Sequence, residues 1–296
     1  MPAYDALADL PLTIESYTLE GRQRQVGEFD RRTTTFHLQG KGEEGLGEDV
    51  TYDPEHQAAQ QDAGPVLPFA GEWTLDSFSR HLDGIDLFHG VEPTMPAYRE
   101  YRRWAVESAA ADLALRQAGV SLAEALGLAP EPITFVVSLR LGEPPSLEPV
   151  TRRLAAYPFL QFKLDSAPSW DDAFVDALAG TGAVESIDFK GAYKGTVVDV
   201  ETDPALYRRI AEKLPQAWLE DPDLTVPEAA AALEPYRDRI TWDAPIHGVA
   251  DIERLAFLPR TINVKPSRIG TWRKLLHTYE WCAERGIVNY LSLIHI

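Results

Sequence analysis

The sequence predicts an α/β protein, with a mixed α+β segment reaching to about residue 130 and a run of strand–helix units after it. Three observations carry that reading. Of the 296 residues, 45% are hydrophobic and 25% charged, an ordinary globular composition with enough apolar material for a sizeable core. From residue 131 onward, apolar runs alternate with helical patterns six times, which implies parallel strands with both faces covered, in an open doubly wound sheet or a barrel. The turn after the first of these strands, LRLGEPPS, is too poor in glycine for the phosphate turn of an open dinucleotide-binding sheet.

The first half begins with Ile14–Leu19 and Thr33–Leu38, which alternate as strands do. Gly40, Gly42, Gly45 and Gly47 mark turn chemistry after them, and together these features read as an antiparallel meander. Residues 51–95 are rich in Pro, Gly, Asp and His, with one short helix expected near Thr74, where Thr or Asp caps it. Tyr98–Gln117 carries apolar residues at helical spacing and stops at Gly119; a shorter helix, Leu122–Leu126, stops at Gly127.

In the second half the expected strands are Ile133–Leu139, Phe159–Leu164, Val184–Phe189, Ala217–Leu219, Ile240–Trp242 and Thr261–Val264. The helices between and after them are Leu147–Ala156, Trp170–Leu178, Pro204–Lys213, Val226–Tyr236, Val249–Ala256 and Thr271–Arg285.

With 46 acidic against 28 basic residues the formal charge is −18, which argues against a nucleic-acid or anionic-membrane partner, since phosphate contacts need clustered Lys and Arg. A single cysteine, Cys282, excludes a disulfide framework and a cysteine-based zinc site. The opening MPAYDALADL has no signal-peptide pattern, and no run of about 18 apolar residues occurs. The expected setting is the cytoplasm.

Each of the last five strands ends on ionisable residues: Lys163 with Asp165, Asp188 with Lys190, Glu220 with Asp221, Asp243, and Lys265. In a (β/α) barrel those ends converge on one mouth. Asp188, Glu220 and Asp243 then supply hard oxygen ligands for an octahedral Mg²⁺, with Mn²⁺ as an alternative, and Lys163 and Lys265 flank the trio. A lysine acts as a base near neutral pH once its pKa is lowered, and a nearby dication or second ammonium pushes in that direction.

Trp218–Pro222 (WLEDP), Ile240–Leu255 (ITWDAPIHGVADIERL) and above all Ile262–Ile287 (INVKPSRIGTWRKLLHTYEWCAERGI) resemble the enolase superfamily, nearest its mandelate-racemase-like and muconate-lactonizing branches. Gly42–Asp49 is similar to the glycine-rich hairpin of that family's capping domain, and Glu107–Gly127 to the helix that leads into its barrel. The resemblance implies an α+β capping domain at 1–130 and a modified (β/α) TIM-type barrel at 131–290. It implies Mg²⁺ on Asp188, Glu220 and Asp243. It also implies removal of the proton α to a substrate carboxylate, giving an enediolate, with Lys163 and Lys265 on opposite faces of the α-carbon. Racemase or epimerase, dehydratase and cycloisomerase reactions all share that step.

Two departures from the family pattern bear on the site. The second strand reads Lys163-x-Asp165 where the branch has Lys-x-Lys, which puts Asp165 in the usual base position. The third reads Asp188-Phe189-Lys190 where it has Asp-x-Asn. Lys190 stays open between a base, a partner for the substrate carboxylate and a charge balance for Asp165. A second reading is therefore a catalytically altered relative that binds carboxylates or serves structurally. A third takes the strand-end acids as caps in a different parallel α/β enzyme.

Taken singly, Glu185 and Asp221 read as surface or supporting groups, His89 and His247 as structural histidines, Cys282 as a small buried hydrophobe, and Trp170, Trp218 and Trp242 as barrel packing. Specificity is expected from residues 51–95 and Thr18–Glu28. The chain is expected to be a C-terminal truncation after about six of eight barrel units, inactive as a fragment, from a parent compatible with a homo-oligomer. Leu291–Ile296 (LSLIHI) matches a sequencing-adapter reading frame, the other reading being a genuine apolar seventh strand.

Overall fold

A computed structural model of the chain describes residues 2–27, 29–195 and 200–291. It opens with α1 (Asp5–Ala8) and β1 (Pro11–Ile14), then a long hairpin of β2 (Ser16–Val26) and β3 (Phe29–Gly40), continued by β4 (Glu43–Asp49). These last three form the expected antiparallel meander in the order β2-β3-β4. Gly45 and Gly47, however, are strand residues and not turn residues. A Cβ on Gly45 would collide with the Ala109 carbonyl, and one on Gly47 with the Ala105 carbonyl. The glycines let the sheet lie directly on the backbone of a helix, a close approach that a turn reading overlooks.

That helix is α4 (Ala97–Ala118), whose buried face is built largely of alanines and which ends at Gly119 in the left-handed conformation. Before it come α2 (Pro54–Ala63), β5 (Gly71–Thr74), which pairs with β1, and α3 (Leu75–Leu82). Thr74 and Ser77 form a reciprocal capping box, as the Thr74 signal predicts. Helix α2 is an addition to the single helix expected in 51–95; Asp53 caps it through the amides of Glu55 and His56, and Pro54 starts it. α5 (Leu122–Leu126) closes this half, capped by Ser121 and ended by Gly127.

The second half runs β6 (Val136–Leu139), α6 (Glu148–Ala156), β7 (Gln161–Asp165), α7 (Asp172–Ala179), β8 (Val184–Asp188), α8 (Pro204–Lys213), β9 (Trp218–Glu220) and α9 (Pro227–Leu233). It continues with β10 (Ile240–Thr241), α10 (Val249–Glu253), β11 (Thr261–Asn263), α11 (Pro266–Ile269), α12 (Trp272–Glu284) and β12 (Val288–Tyr290). Strands β6 to β10 are parallel neighbours in sequence order, β11 pairs in parallel with β12, and the Asn263 amide donates to the Trp242 carbonyl to join the two groups.

Among the described residues the second half holds seven strands where six are expected, because Val288–Tyr290 pairs with Thr261–Asn263. The first strand is shorter than expected: Ile133 and Phe135 lie outside it, 72% and 76% exposed. Apart from Leu291, the proposed adapter residues lie outside the described residues.

Strand alternation sorts the second half chemically. Phe162, Leu164, Ile187, Leu219, Ile240 and Ile262 join the helices in one apolar core, whereas Lys163, Ser186, Asp188, Glu220 and Thr241 fall on the other strand face. Trp170 and Trp242 are buried in that core, as expected of packing residues, and Cys282 is fully buried there. The two halves meet at Glu107 on α4. One of its carboxylate oxygens accepts from Ser79 Oγ (2.6 Å) and Arg103 (2.8 Å), the other from the Trp272 amide that opens α12 (3.0 Å). No helix among the described residues is long and apolar enough to cross a membrane.

Candidate active site

Parallel register aligns the carboxylates before any side-chain interaction is considered. Asp165 on β7 is paired with Asp188 on β8, Asp188 with Glu220 on β9, and Glu220 with Thr241 on β10. One rung at the ends of three adjacent strands therefore carries three acids. Asp188, Glu220 and Asp221 are all 0% exposed, and each places a carboxylate oxygen within 4.8 Å of the others. Asp221 is accordingly not a surface group. It sits in the left-handed region (φ 46°), and its two oxygens accept the backbone amides of Asp243 (2.8 Å) and Ala244 (2.9 Å).

The structure brings the expected site residues to one place but divides their partners. Lys163 Nζ donates to Glu220 Oε1 and lies 3.4 Å from Asp188 Oδ2. Lys190 Nζ lies 2.5 Å from that same Asp188 oxygen and 3.2 Å from Asp165 Oδ1. The other oxygen of Asp165 accepts from Arg140 Nε at 2.9 Å. Asp243 lies apart from the tight trio in its bonding: Lys265 Nζ reaches its Oδ2 at 2.7 Å and Arg268 its Oδ1 at 2.8 Å.

Burial and charge act on these groups in opposite directions. Burial pushes the Glu220 carboxyl up to about 8; Asp188 and Asp243 add to the rise and Lys163 opposes it. Burial likewise raises Asp221 to about 7, reinforced by Asp243 and Asp188. Asp243 is pushed up by burial too, but Lys265, Arg268 and Lys163 outweigh it and hold the group down at about 2. Burial lowers Lys163 and Lys190, yet the surrounding carboxylates raise both above the ordinary lysine range. Lys265 goes the other way: burial, with Arg268 and Lys163, lowers it despite Asp243.

Several groups here escaped the sequence reading. Arg268 is buried, one helical turn beyond Lys265 in α11, a helix that packs against α4 and so brings Tyr101 into electrostatic reach of the guanidinium. The i, i+3 spacing from Lys265 was the available signal. Tyr290 donates to Glu220 Oε2 at 2.6 Å from the strand that the sequence did not resolve. Tyr193, in the loop after β8, has its ring 5.3 Å from Lys190 Nζ. Glu185 is half-buried, with its carboxyl raised by burial, and takes no part in the trio. His89 contacts Gln60 and His247 the Pro245 carbonyl.

The donor set suits a hard divalent cation. Three buried carboxylates within bridging distance provide oxygen ligands of the kind Mg²⁺ prefers, in a place where uncompensated negative charge would be costly.

Residues 5–125 match the family profile described as "Domain of unknown function (DUF8230) N-terminal domain", and residues 129–292 match that of the corresponding C-terminal domain. No curated protein matches the sequence. Among solved structures, the chain is similar to a dipeptide epimerase from Methylococcus capsulatus complexed with a Mg ion: TM-score 0.71 at 17% identity, over 95% of this chain and 82% of that one. It is similar to a mandelate racemase/muconate lactonizing enzyme from Bordetella bronchiseptica RB50, with TM-score 0.68 at 20% identity over 96% and 80% of the two chains. A member of the enolase superfamily from Listeria innocua Clip11262 gives TM-score 0.63 at 19% identity over 95% and 78%. At these identities the likeness establishes the fold, which is that of the enolase superfamily.

Proposed function

The chain belongs to the DUF8230 family, and from that premise, its enolase-superfamily fold and the geometry of the strand ends we propose that it is a metal-dependent enzyme removing the proton α to a substrate carboxylate. One observation carries the reading: a cluster of buried acids from consecutive strands is flanked by Lys163 on the β7 side and Lys265 on the β11 side.

In this reading Asp188 and Glu220 of the close trio would hold the divalent cation together with Asp243, the third ligand that the family resemblance implies. Asp221 stays with the amides of Asp243 and Ala244, fixing the chain segment from which Asp243 projects. The bound ion supplies Lewis-acid stabilisation of negative charge on the substrate carboxylate. Lys265 takes or returns the α-proton from one face, and Lys163 serves the opposite face. Arg268 orients Asp243 through its side chain and carbonyl, which sets the position of Lys265 in turn. Asp165 and Lys190 border the same mouth. Two opposed amines support racemisation or epimerisation; one amine acting with a leaving group on the substrate supports elimination or cycloisomerisation.

The test is solvent exchange. Incubation in D₂O with Mg²⁺ and a panel of sugar acids, amino-acid derivatives and cyclic dienoates should incorporate deuterium at the α-carbon of at least one member, and EDTA should stop it. Absence of divalent-ion binding by the chain would contradict the reading.

A second reading, a carboxylate-binding protein without turnover, is favoured by the internal charge balance. Asp165, Asp188, Glu220 and Asp243 each already contact a Lys or Arg of the same chain. Carboxylate binding unaffected by EDTA would support it.

A further inference from the structure

We propose that Lys190 is a tethered counter-ion of the carboxylate centre: its ammonium holds Asp188 when no divalent cation is bound and passes to Asp165 when one binds. The inference rests on the metal-binding reading above and adds to it how the centre stays assembled without its ion.

The geometry is specific to this pair of residues. A single ammonium spans two acids on neighbouring strands, 2.5 Å from Asp188 Oδ2 and 3.2 Å from Asp165 Oδ1. Those two acids are register partners on β7 and β8, so moving from one to the other requires a side-chain swing and no change in backbone. The Lys190 backbone is set by its own acid: its amide donates to Asp188 Oδ1 at 2.9 Å, at a φ of 57° that is unfavourable for a side-chain-bearing residue. The ring of Tyr193 stands 5.3 Å from the ammonium on a further side.

Asp165 is prepared to receive the charge. Arg140 engages its Oδ2 at 2.9 Å and leaves Oδ1 facing Lys190. Asp188 Oδ2, by contrast, is crowded, with Lys190 at 2.5 Å and Lys163 at 3.4 Å. A dication using that oxygen meets two like charges at close range, and repulsion between charges a few ångströms apart in a buried setting is strong enough to displace the more mobile one. Lys163 also contacts Glu220 from within a strand, whereas Lys190 lies beyond the end of β8 and has a second acid at hand. The two residues that depart from the Lys-x-Lys and Asp-x-Asn patterns therefore act as one unit.

The test measures Mn²⁺ affinity of the full chain by calorimetry, with Asp188→Asn defining binding outside the site, and the melting temperature in EDTA. Removing the competing ammonium in Lys190→Met should tighten Mn²⁺ binding by roughly tenfold or more while lowering the melting temperature in EDTA. Removing the receiving acid in Asp165→Asn should weaken binding relative to the wild type. Opposite directions in the two variants are what a merely structural pair would not produce. Lys190→Gln serves as the second uncharged variant if the Met variant does not fold. Unchanged or weaker Mn²⁺ binding in both uncharged variants, with the wild type binding normally, overturns the counter-ion alone. No Mn²⁺ binding by the wild type or any variant overturns the metal reading and the counter-ion with it.

Discussion

Lys265 Nζ lies 2.7 Å from Oδ2 of Asp243 at the β11 side of the strand ends, while Lys163, four strands away on β7, donates to Glu220. The acids of β8, β9 and the β10 end thus stand between two amines. Asp243 is fixed independently on three fronts: Arg268 engages its side chain and carbonyl, and Asp221 accepts its amide. Under the proposed function, this network is what aligns Lys265 as the base.

The glycines of β4 make a prediction about the scaffold. Gly47→Ala puts a methyl group against the Ala105 carbonyl and Ala109 amide of α4, both backbone atoms that cannot step aside. The expected loss is about 3 kcal/mol, the upper part of the range for overpacking. Gly42→Ala, at φ 78° with nothing within 4 Å of the added atom, should cost only about 1 kcal/mol for its left-handed backbone. Urea unfolding of the two variants checks the difference; equal losses would contradict the close approach of sheet and helix.

Arg102 provides the strongest electrostatic test in the first half. It is 1% exposed, donates to Asp49 at 2.8 Å and also to the carbonyls of Leu87 and His56. Arg102→Leu leaves Asp49 buried without its cation, and removing one partner of a buried pair typically costs about 3–5 kcal/mol. Chemical denaturation should show a loss of this size, and a change under about 1 kcal/mol would argue that Asp49 is satisfied by Thr51 alone.

Cys282 predicts a pH dependence. Burial pushes its thiol from about 9 up to about 11. Between those values the unfolded chain has lost a proton that the folded chain retains, so stability falls as pH rises through this window. Thiol reagents should be unreactive toward the native chain and react on unfolding. Cys282→Ala should flatten the alkaline fall in melting temperature; an unchanged slope would place its origin elsewhere.

Much of this organisation was legible in the residue pattern, for reasons that differ from element to element. The Thr74 cap and the Gly119 and Gly127 stops were visible because capping is local chemistry. The strand ends were visible because apolar runs finish abruptly on acids and lysines, and register then brings Asp165, Asp188 and Glu220 into one rung. Strand β4 was not, since Gly45 and Gly47 carry turn signals whose actual cause is a helix distant in sequence. Helix α2 hid in a polar stretch whose buried side is made of His56, Gln57 and Gln60 rather than apolar residues. The burial of Asp221 and the roles of Arg268 and Tyr290 depend on partners 22, 25 and 70 positions away, beyond what spacing along one chain can reveal.

The central claim is that Lys265 removes a substrate α-proton beside a divalent cation held by Asp188, Glu220 and Asp243. The direct measurement is α-deuterium incorporation from D₂O into the responsive carboxylate by the wild type and by Lys265→Ala, each shown by calorimetry to bind Mg²⁺. The account predicts that exchange disappears in Lys265→Ala while metal binding remains. Exchange continuing at the wild-type rate in that variant would contradict it.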